Sequence, residues 1–134
     1  VEAVFLRHPA SFEWTAIAWA GLIAAVAGLA LRTWAVTHLG AAFTWHIDAD
    51  SADAVIDTGP FAMVRHPSYA GAFLLYVGAV VFLGAWYTVA LAFVAIPLAF
   101  ARRIRWEEEA LVARFGDGYL DYRSRVGAVL PRLR

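Results

Sequence analysis

The side chains best suited to chemistry lie in two short segments about 40 residues apart. The first, Arg65–Gly71, joins a guanidinium, an imidazole and a phenol to a proline, a residue type favoured in the first turn of a helix. The second is the carboxylate pair Glu107 and Glu108. Because the first segment directly precedes a long uncharged stretch, it indicates polar chemistry held at a membrane surface.

The same sequence argues against several other kinds of site. It contains no Cys, which excludes disulfides, thiol nucleophiles and thiolate metal sites. Its four His residues include no pair spaced three or four apart, the spacing that places two metal ligands on one helix face. The net charge is zero, with 11 basic and 11 acidic residues, so a polyanionic partner is not favoured. We therefore expect no metal ion and no nucleic acid.

The elements that position these groups are predicted to be membrane helices. Of the 134 residues, 62% are hydrophobic and 16% are charged, whereas a soluble domain has about 25% charged residues. Uncharged runs of helical length occupy residues 14–31, 67–83 and 87–101. The first approaches the ~20 residues that span a bilayer, and the other two, of about 16 residues, suit a thinner one. We predict an all-α integral membrane helical bundle of about three transmembrane helices, the last two forming a tight hairpin around Gly84.

The C-terminal segment, residues 102–134, is predicted to be a cytoplasmic tail of amphipathic helices. It is rich in Arg, and the positive-inside rule places such a segment in the cytoplasm together with the polar connector before residue 65. We expect Gly116 to end one helix and Asp117 to cap the next. All the candidate chemistry then faces the cytoplasm. Residues 1–134 form a single predicted domain, and because the first residue is Val1 rather than Met, we allow for further helices upstream.

Further motifs flank the two chemical segments in a recognisable order. They are Leu39-Gly40-Ala41-Ala42-Phe43, Thr58-Gly59-Pro60-Phe61, then Phe115-Gly116 followed by Tyr119, Tyr122, Arg125-Val126 and Leu130-Pro131. Together with RHPSYAG and the Glu pair, they resemble the isoprenylcysteine carboxyl methyltransferase family over about residues 31–133. Related membrane phospholipid N-methyltransferases share the RHPxYxG and Glu-Glu pattern. The spacing of the last tyrosines and Arg125 favours the carboxyl methyltransferase branch.

This resemblance implies an enzyme that uses S-adenosylmethionine, bound in a cytoplasmic pocket capped by the C-terminal helices, and a lipidic or prenylated substrate that arrives from the bilayer. The residues that match the cofactor site are Val55, Ile56, Thr58, Gly59, Arg65, His66, Pro67, Tyr69, Gly71, Glu107 and Glu108. Arg125 matches the position expected to bind the substrate carboxylate, with Tyr122 and Arg123 as further candidates. Glu108 is the candidate for a catalytic carboxylate.

Each of these motifs also has a simpler explanation. Arg65 and His66 could anchor a helix at the lipid headgroups, and Arg125 could bind headgroups from a basic tail. Glu107 could belong to a solvated helix face, paired with Arg103 four residues away. Taken singly, none of the motifs decides between these readings. Their joint spacing favours the cofactor site.

Two other functions remain open at this point. The substrate could be a lipid amine such as phosphatidylethanolamine, which is protonated at neutral pH and needs a base before it can be methylated. Glu108 or His66 could supply that base. The other possibility is a non-catalytic membrane module of the same fold, which binds no cofactor.

The polar connector departs from the family pattern. Relatives commonly carry a Gln and a basic residue there, whereas this chain has Asp48, Asp50 and Asp53. We therefore assign no cofactor contact to these three positions.

Overall fold

The computed structural model describes residues 13–40 and 54–132, which form four α-helices and one 3₁₀ helix. In chain order these are α1 Ala16–Leu39, the 3₁₀ helix Gly59–Ala62, α2 Pro67–Phe82, α3 Trp86–Phe115 and α4 Asp117–Arg125. Within the described ranges no strand occurs, and Val64 and Gly127 form an isolated parallel bridge. The all-α prediction is confirmed for this part of the chain. The connector residues Asp48, Asp50 and Asp53 lie outside the described residues, as do residues 41–43 of the motif Leu39-Gly40-Ala41-Ala42-Phe43.

Two of the helices are long and apolar enough to cross a membrane. These are α1 and α3, whereas α2 is a shorter apolar helix of 16 residues. Large apolar side chains on α3 point away from the protein: Tyr87 is 79% exposed, and Leu91 and Leu98 are each 67% exposed. Such a surface suits a lipid environment better than water. The third crossing, by α2, stays a prediction.

Both long helices continue beyond the predicted membrane segments. α1 passes Leu31 and ends at Leu39. α3 passes from Ala101 into the charged sequence without a break, so the two helices predicted on either side of this residue are one helix of 30 residues. Arg and Glu change the polarity of the helix surface, but both are good helix formers, so the backbone continues. At 1.5 Å per residue α3 is about 45 Å long and exceeds the ~30 Å hydrocarbon core.

Local signals explain most of the helix ends. Thr15 caps α1, because its Oγ1 accepts the N–H of Ala18 at 3.1 Å. Pro67 stands in the first turn of α2, and Gly116 ends α3 with a φ of +53°, both as predicted. The predicted cap of α4 is wrong: Gly116 occupies the capping position and Asp117 is already helical. Asp117 still suits that end, since a carboxylate interacts favourably with a helix N-terminus.

α1 and α2 pack closely along a seam of glycines. The four glycines of the seam are Gly21 and Gly28 on α1 and Gly71 and Gly78 on α2. A Cβ on Gly21 would lie 2.5 Å from the backbone N of Phe82, and a Cβ on Gly71 would lie 2.6 Å from the carbonyl oxygen of Gly28. Small residues allow such close approach of helix backbones in membranes. α1 therefore fills the space beside Gly71, a residue that the family resemblance assigned to the cofactor site.

α3 packs against α2 through aromatic rings. The Phe73 and Phe93 rings are perpendicular, with centroids 5.5 Å apart, and the Tyr69 and Phe100 centroids are 5.0 Å apart. The connection between the helices is short, residues 83–85, and Gly84 adopts a φ of +64° there. The contact brings the start of α2 beside the charged half of α3.

The segment after α4 folds back onto the start of α2. The backbone N–H of Arg65 donates to the Gly127 carbonyl at 2.8 Å, and that of His66 donates to the Ala128 carbonyl at 2.8 Å. A small core forms beneath this contact from Tyr119, Tyr122 and Val126, packed against Val55, Leu111, Val112 and Phe115. The start of α2, the charged half of α3 and α4 therefore converge.

Candidate active site

The two chemical segments of the sequence meet at Glu108. The Arg65 guanidinium donates to Glu108 Oε1 from Nε at 2.9 Å and from Nη2 at 2.7 Å, and His66 Nε2 lies 3.1 Å from the same oxygen. Arg123 on α4 places its Nε 3.4 Å from the other oxygen, Oε2. We call Arg65, His66, Glu108 and Arg123 the Glu108 cluster. Only 9% of the Glu108 side chain is exposed, so these partners replace most of its water.

The partners of Glu108 keep it ionised. Burial by itself would raise the pKa of Glu108, but hydrogen bonds from His66 and Arg65 and the charge of Arg65 outweigh burial and lower the pKa to about 2. The residue lies beyond Ala101, outside the apolar part of α3. An ionised carboxylate only accepts hydrogen bonds, so His66 donates to it from Nε2.

Glu107 belongs to a second group on the neighbouring side of α3. The Tyr69 hydroxyl donates to Glu107 Oε1, and Arg103 Nε donates to the Tyr69 oxygen at 2.7 Å. Arg103 Nε also lies 3.4 Å from Glu107 Oε1, which is the pair expected of a solvated helix face. His66 connects the two groups, because its Nδ1 lies 3.6 Å from Glu107 Oε2. The side chain of Glu107 is 24% exposed and is therefore easier to reach than that of Glu108.

Two tyrosines of α4 lie beside the Glu108 cluster and differ in their hydrogen bonding. The Tyr122 hydroxyl donates to the Phe61 carbonyl at 2.7 Å, and burial raises the pKa of Tyr122 to about 12. The buried Tyr119 hydroxyl has no hydrogen-bond partner among the described residues, although the charged Arg65 lies nearby. Burial also raises the pKa of Tyr119, so this hydroxyl keeps its proton. An unpartnered buried donor costs about 1–3 kcal/mol, which a ligand acceptor would recover.

The segment predicted to line the cofactor, residues 55–59, is held between α1 and α4. Val55 packs against the tyrosine core of α4. Thr58 Oγ1 lies 3.0 Å from Nε2 of His38 on α1. Gly59 has a φ of +57°, in the left-handed region that favours glycine, and the His38 ring occupies the space where its Cβ would lie. Asp57-Thr58-Gly59-Pro60, a sequence typical of a turn, leads here into the 3₁₀ helix Gly59–Ala62.

Arg125 lies apart from Glu108 and contacts acidic residues. Its Nε and Nη2 lie 3.1 Å and 2.9 Å from Asp121 Oδ2, and Nη2 lies 3.8 Å from Asp57 Oδ2. Arg123 is the α4 arginine that contacts Glu108, and its side chain is 50% exposed. The predicted role of Arg125 in substrate binding stays a prediction, and an acceptor carboxylate would have to compete with Asp121 for it.

Some residues in these contacts received no role from the sequence. Tyr119 was part of the motif, but its spacing does not reveal that its hydroxyl is buried and unpartnered. Arg32, inside α1, donates from Nη1 to Ser68 Oγ at 3.0 Å. His38 could not have been placed by sequence, because its partner Thr58 lies 20 residues away across the connector.

Comparison with known proteins identifies the fold and its motifs. The model of the isoprenylcysteine carboxyl methyltransferase (ICMT) family matches residues 19–113, a range that contains both Arg65–Gly71 and the Glu pair. The chain belongs to the isoprenylcysteine carboxyl methyltransferase family. The resemblance noted in the sequence motifs is thereby confirmed.

Individual relatives in this family are longer than the chain. The protein-S-isoprenylcysteine O-methyltransferase of Schizosaccharomyces pombe is 36% identical over 78% of this chain and 45% of its own length. That of Rattus norvegicus is 32% identical, with 100% of this chain and 47% of the relative covered. The solved structure of the eukaryotic intramembrane Ras methyltransferase ICMT matches with a TM-score of 0.81 at 29% identity, over 86% of this chain and 42% of that one. The chain spans about half the length of these relatives and shares their membrane-helical fold.

Proposed function

We propose that the chain is an S-adenosylmethionine-dependent methyltransferase that acts on the carboxylate of a lipidic or prenylated substrate. The observation that carries this proposal is the Glu108 cluster, in which the RHPSYAG segment, the Glu pair and α4 meet at one buried carboxylate. The relatives named protein-S-isoprenylcysteine O-methyltransferase support a carboxyl acceptor. We place the site on the cytoplasmic face of the membrane, because it lies in the Arg-rich half of the chain.

The residues present fit a zwitterionic cofactor. S-adenosylmethionine carries a carboxylate, an ammonium and a sulfonium, and it supplies an electrophilic methyl group when bound. The two glutamates suit its cationic groups, and Glu107 is the more accessible of them. Arg123, whose side chain is 50% exposed beside Glu108, could interact with an anionic ligand group. The unpartnered Tyr119 hydroxyl offers a further hydrogen bond.

The chain's own residues act by position rather than by covalent chemistry. A carboxylate acceptor with a pKa of about 4 is already ionised at neutral pH and needs no base. Holding two reactants in line can contribute ~7–11 kcal/mol to a rate. A lipid amine would need a base, and Glu108 is a poor one because its pKa is about 2 and its oxygens accept from cationic groups. Both ring nitrogens of His66, the other candidate base, face carboxylates, at 3.1 Å and 3.6 Å. The carboxylate acceptor is therefore favoured over phosphatidylethanolamine.

The acceptor carboxylate needs a cation near the site. We assign this role to Arg125, the residue indicated by the motif, with Arg123 nearer to Glu108. Arg125→Ala should leave cofactor affinity unchanged and lower the turnover of a carboxylate acceptor about tenfold or more, because a hydrogen bond to a charged group contributes about 1.5–3 kcal/mol. Asp121→Asn is the reciprocal variant: it removes the competing carboxylate and should lower KM for the acceptor. If Arg125→Ala abolishes cofactor binding as well, the assignment is wrong.

Calorimetric titration of S-adenosylmethionine and S-adenosylhomocysteine into the purified chain in detergent tests the proposal. We expect saturable binding that Glu108→Gln weakens about tenfold or more, because the variant loses the charge that orders Arg65 and His66. Glu109→Gln, on the adjacent exposed residue, is the matched control and should bind as the wild type does. A folded, helical sample that binds neither compound would contradict the proposal and favour a non-catalytic membrane module.

Methyl transfer to alternative acceptors then identifies the substrate class. A prenylated cysteine with a free carboxylate should be methylated, whereas its amide and phosphatidylethanolamine vesicles should not. Methylation of phosphatidylethanolamine alone would overturn the carboxylate assignment while leaving cofactor use intact.

A further inference from the structure

His38, at the last turn of α1, contacts the turn at residues 58–61 in three ways. Its Nε2 lies 3.0 Å from Thr58 Oγ1. Its ring is stacked with that of Phe61, with centroids 6.3 Å apart and an interplanar angle of 29°. Its ring atoms also fill the space beside Gly59, where a Cβ would lie 2.7–2.9 Å from them. His38 therefore contacts Thr58, Gly59 and Phe61 from α1.

The same segment also contacts α4. The Tyr122 hydroxyl donates to the Phe61 carbonyl at 2.7 Å, and Val55 packs on the tyrosine core. The segment is therefore connected to α1 through His38 and to α4 through Tyr122. The two contacts differ in burial, because Tyr122 is 3% exposed whereas His38 is an exposed residue.

We propose that His38 is a positioning residue for cofactor binding, which sets the backbone of Thr58 and Gly59 in the conformation that the cofactor meets. The inference rests on the proposed function, since it takes residues 55–59 as part of the cofactor site. Gly59 has the conformational freedom to leave its φ of +57° when nothing restrains it. Without His38 this turn would have to be ordered when the cofactor binds. The free-energy cost of that ordering would lower the affinity for the cofactor without changing the reacting groups.

Substituting His38 by Gln or by Asn gives a matched test, because each amide nitrogen takes the position of one of the two imidazole nitrogens. Gln places its terminal nitrogen as many bonds from Cα as Nε2 of His, so His38→Gln retains the reach to Thr58. Asn imitates only Nδ1, so His38→Asn removes the contact. Neither variant keeps the ring, so the Gln variant reports the hydrogen bond alone.

Two readouts on the full chain in detergent are needed. The first is amide hydrogen exchange without cofactor: His38→Asn should speed exchange in residues 55–61 and leave α2 and α4 unchanged. The second is the calorimetric Kd for S-adenosylhomocysteine, which His38→Asn should raise about three- to tenfold, the effect of one hydrogen bond, while His38→Gln recovers most of the loss. KM for S-adenosylmethionine should rise in parallel, with kcat unchanged.

A double-mutant cycle with Thr58→Val locates the effect. If the His38–Thr58 contact transmits it, His38→Asn should weaken binding less in Thr58→Val than in the wild type, because the hydrogen bond is already lost and only the ring contacts remain to be removed. Independent, multiplying effects would overturn the inference.

Other results also overturn it. If His38→Asn has the same Kd for S-adenosylhomocysteine and the same amide exchange rates in residues 55–61 as the wild type, the turn holds its conformation without His38. Faster exchange throughout α1 and α2, with a lower Tm in both His38 variants, would show that His38 only stabilises the helix. If the wild-type chain binds no cofactor, the proposed function fails and the role in affinity fails with it, while the exchange data still report separately whether His38 orders the turn.

Discussion

At the scale of single residues, the site is organised by the compensation of one buried charge. Glu108 is nearly inaccessible, yet it stays ionised because Arg65, His66 and Arg123 replace its water. Removing one partner of a buried ion pair costs about 3–5 kcal/mol, because the remaining charge is left uncompensated. Adjacent Glu107 lies on the neighbouring side of α3 and pairs with Tyr69 and Arg103. The two neighbouring carboxylates therefore differ in accessibility and in their partners.

The low pKa of Glu108 predicts how stability depends on pH. The folded pKa of about 2 lies below the ordinary 4.5, so the folded state binds this proton less readily than the unfolded state. The stabilisation by Glu108 is complete above about pH 4.5 and is lost as pH falls toward 2. Tm in detergent, measured from pH 7 to pH 3, should drop more steeply for the wild type than for Glu108→Gln. Parallel curves for the two proteins would contradict the charge assignment.

At the scale of helices, the close packing of α1 against α2 depends on glycines, which have no side chain at the contact. The glycines of the seam occur in pairs seven residues apart on each helix, Gly21 with Gly28 and Gly71 with Gly78. This spacing keeps them on one face, and each faces the backbone of the other helix. The close contact also sets the position of Ser68, which accepts a hydrogen bond from Arg32. The start of α2, and with it the RHPSYAG segment, is thus fixed by helix packing.

Adding one methyl group to the seam tests this packing. Gly28→Ala should destabilise the chain by about 1–3 kcal/mol, the usual cost of overpacking, because the new Cβ would collide with the backbone of α2. Gly118→Ala in α4 is the matched control, since its Cβ would meet nothing within 4 Å and Ala favours a helix. Tm measured in one detergent compares the two. Equal Tm values for Gly28→Ala and the wild type would show that the helices are not in close contact.

At the scale of the whole molecule, the site is assembled from parts distant in the chain. The turn at residues 58–61, the start of α2, the charged half of α3 and α4 all contribute. The segment after α4 closes the arrangement by pairing with Arg65 and His66 through the backbone. α1 and α3 are long and apolar enough to span a bilayer, so the site stands at the end of a membrane bundle. Under the proposed function, a cofactor from the cytoplasm and a substrate from the membrane would meet at this boundary.

The two tyrosines of α4 form a matched pair that tests this assembly. Tyr122→Phe should destabilise the fold by about 1–3 kcal/mol, because it leaves the buried Phe61 carbonyl without its donor. Tyr119→Phe should leave Tm unchanged or raise it, because it removes a buried hydroxyl that has no partner among the described residues, yet it should weaken S-adenosylhomocysteine binding. Tm and calorimetric Kd separate the two effects. The reverse pattern, a large loss of Tm for Tyr119→Phe only, would refute the assembly described here.

The sequence alone determined the all-α membrane character, the chemical segments, the Thr58–Pro60 turn and the end of α3 at Gly116. These features depend on composition and on residues close together in the chain, where hydropathy and backbone preference act locally. Tertiary structure alone decided that α1 fills the space at Gly71, that Arg123 contacts Glu108 while Arg125 contacts Asp121, and that His38 contacts Thr58. Most of these contacts join residues 15 to 43 positions apart, so they depend on how the helices pack rather than on any local pattern. The Arg125–Asp121 pair is four residues apart, but which α4 arginine reaches Glu108 depends on how α4 docks against α3.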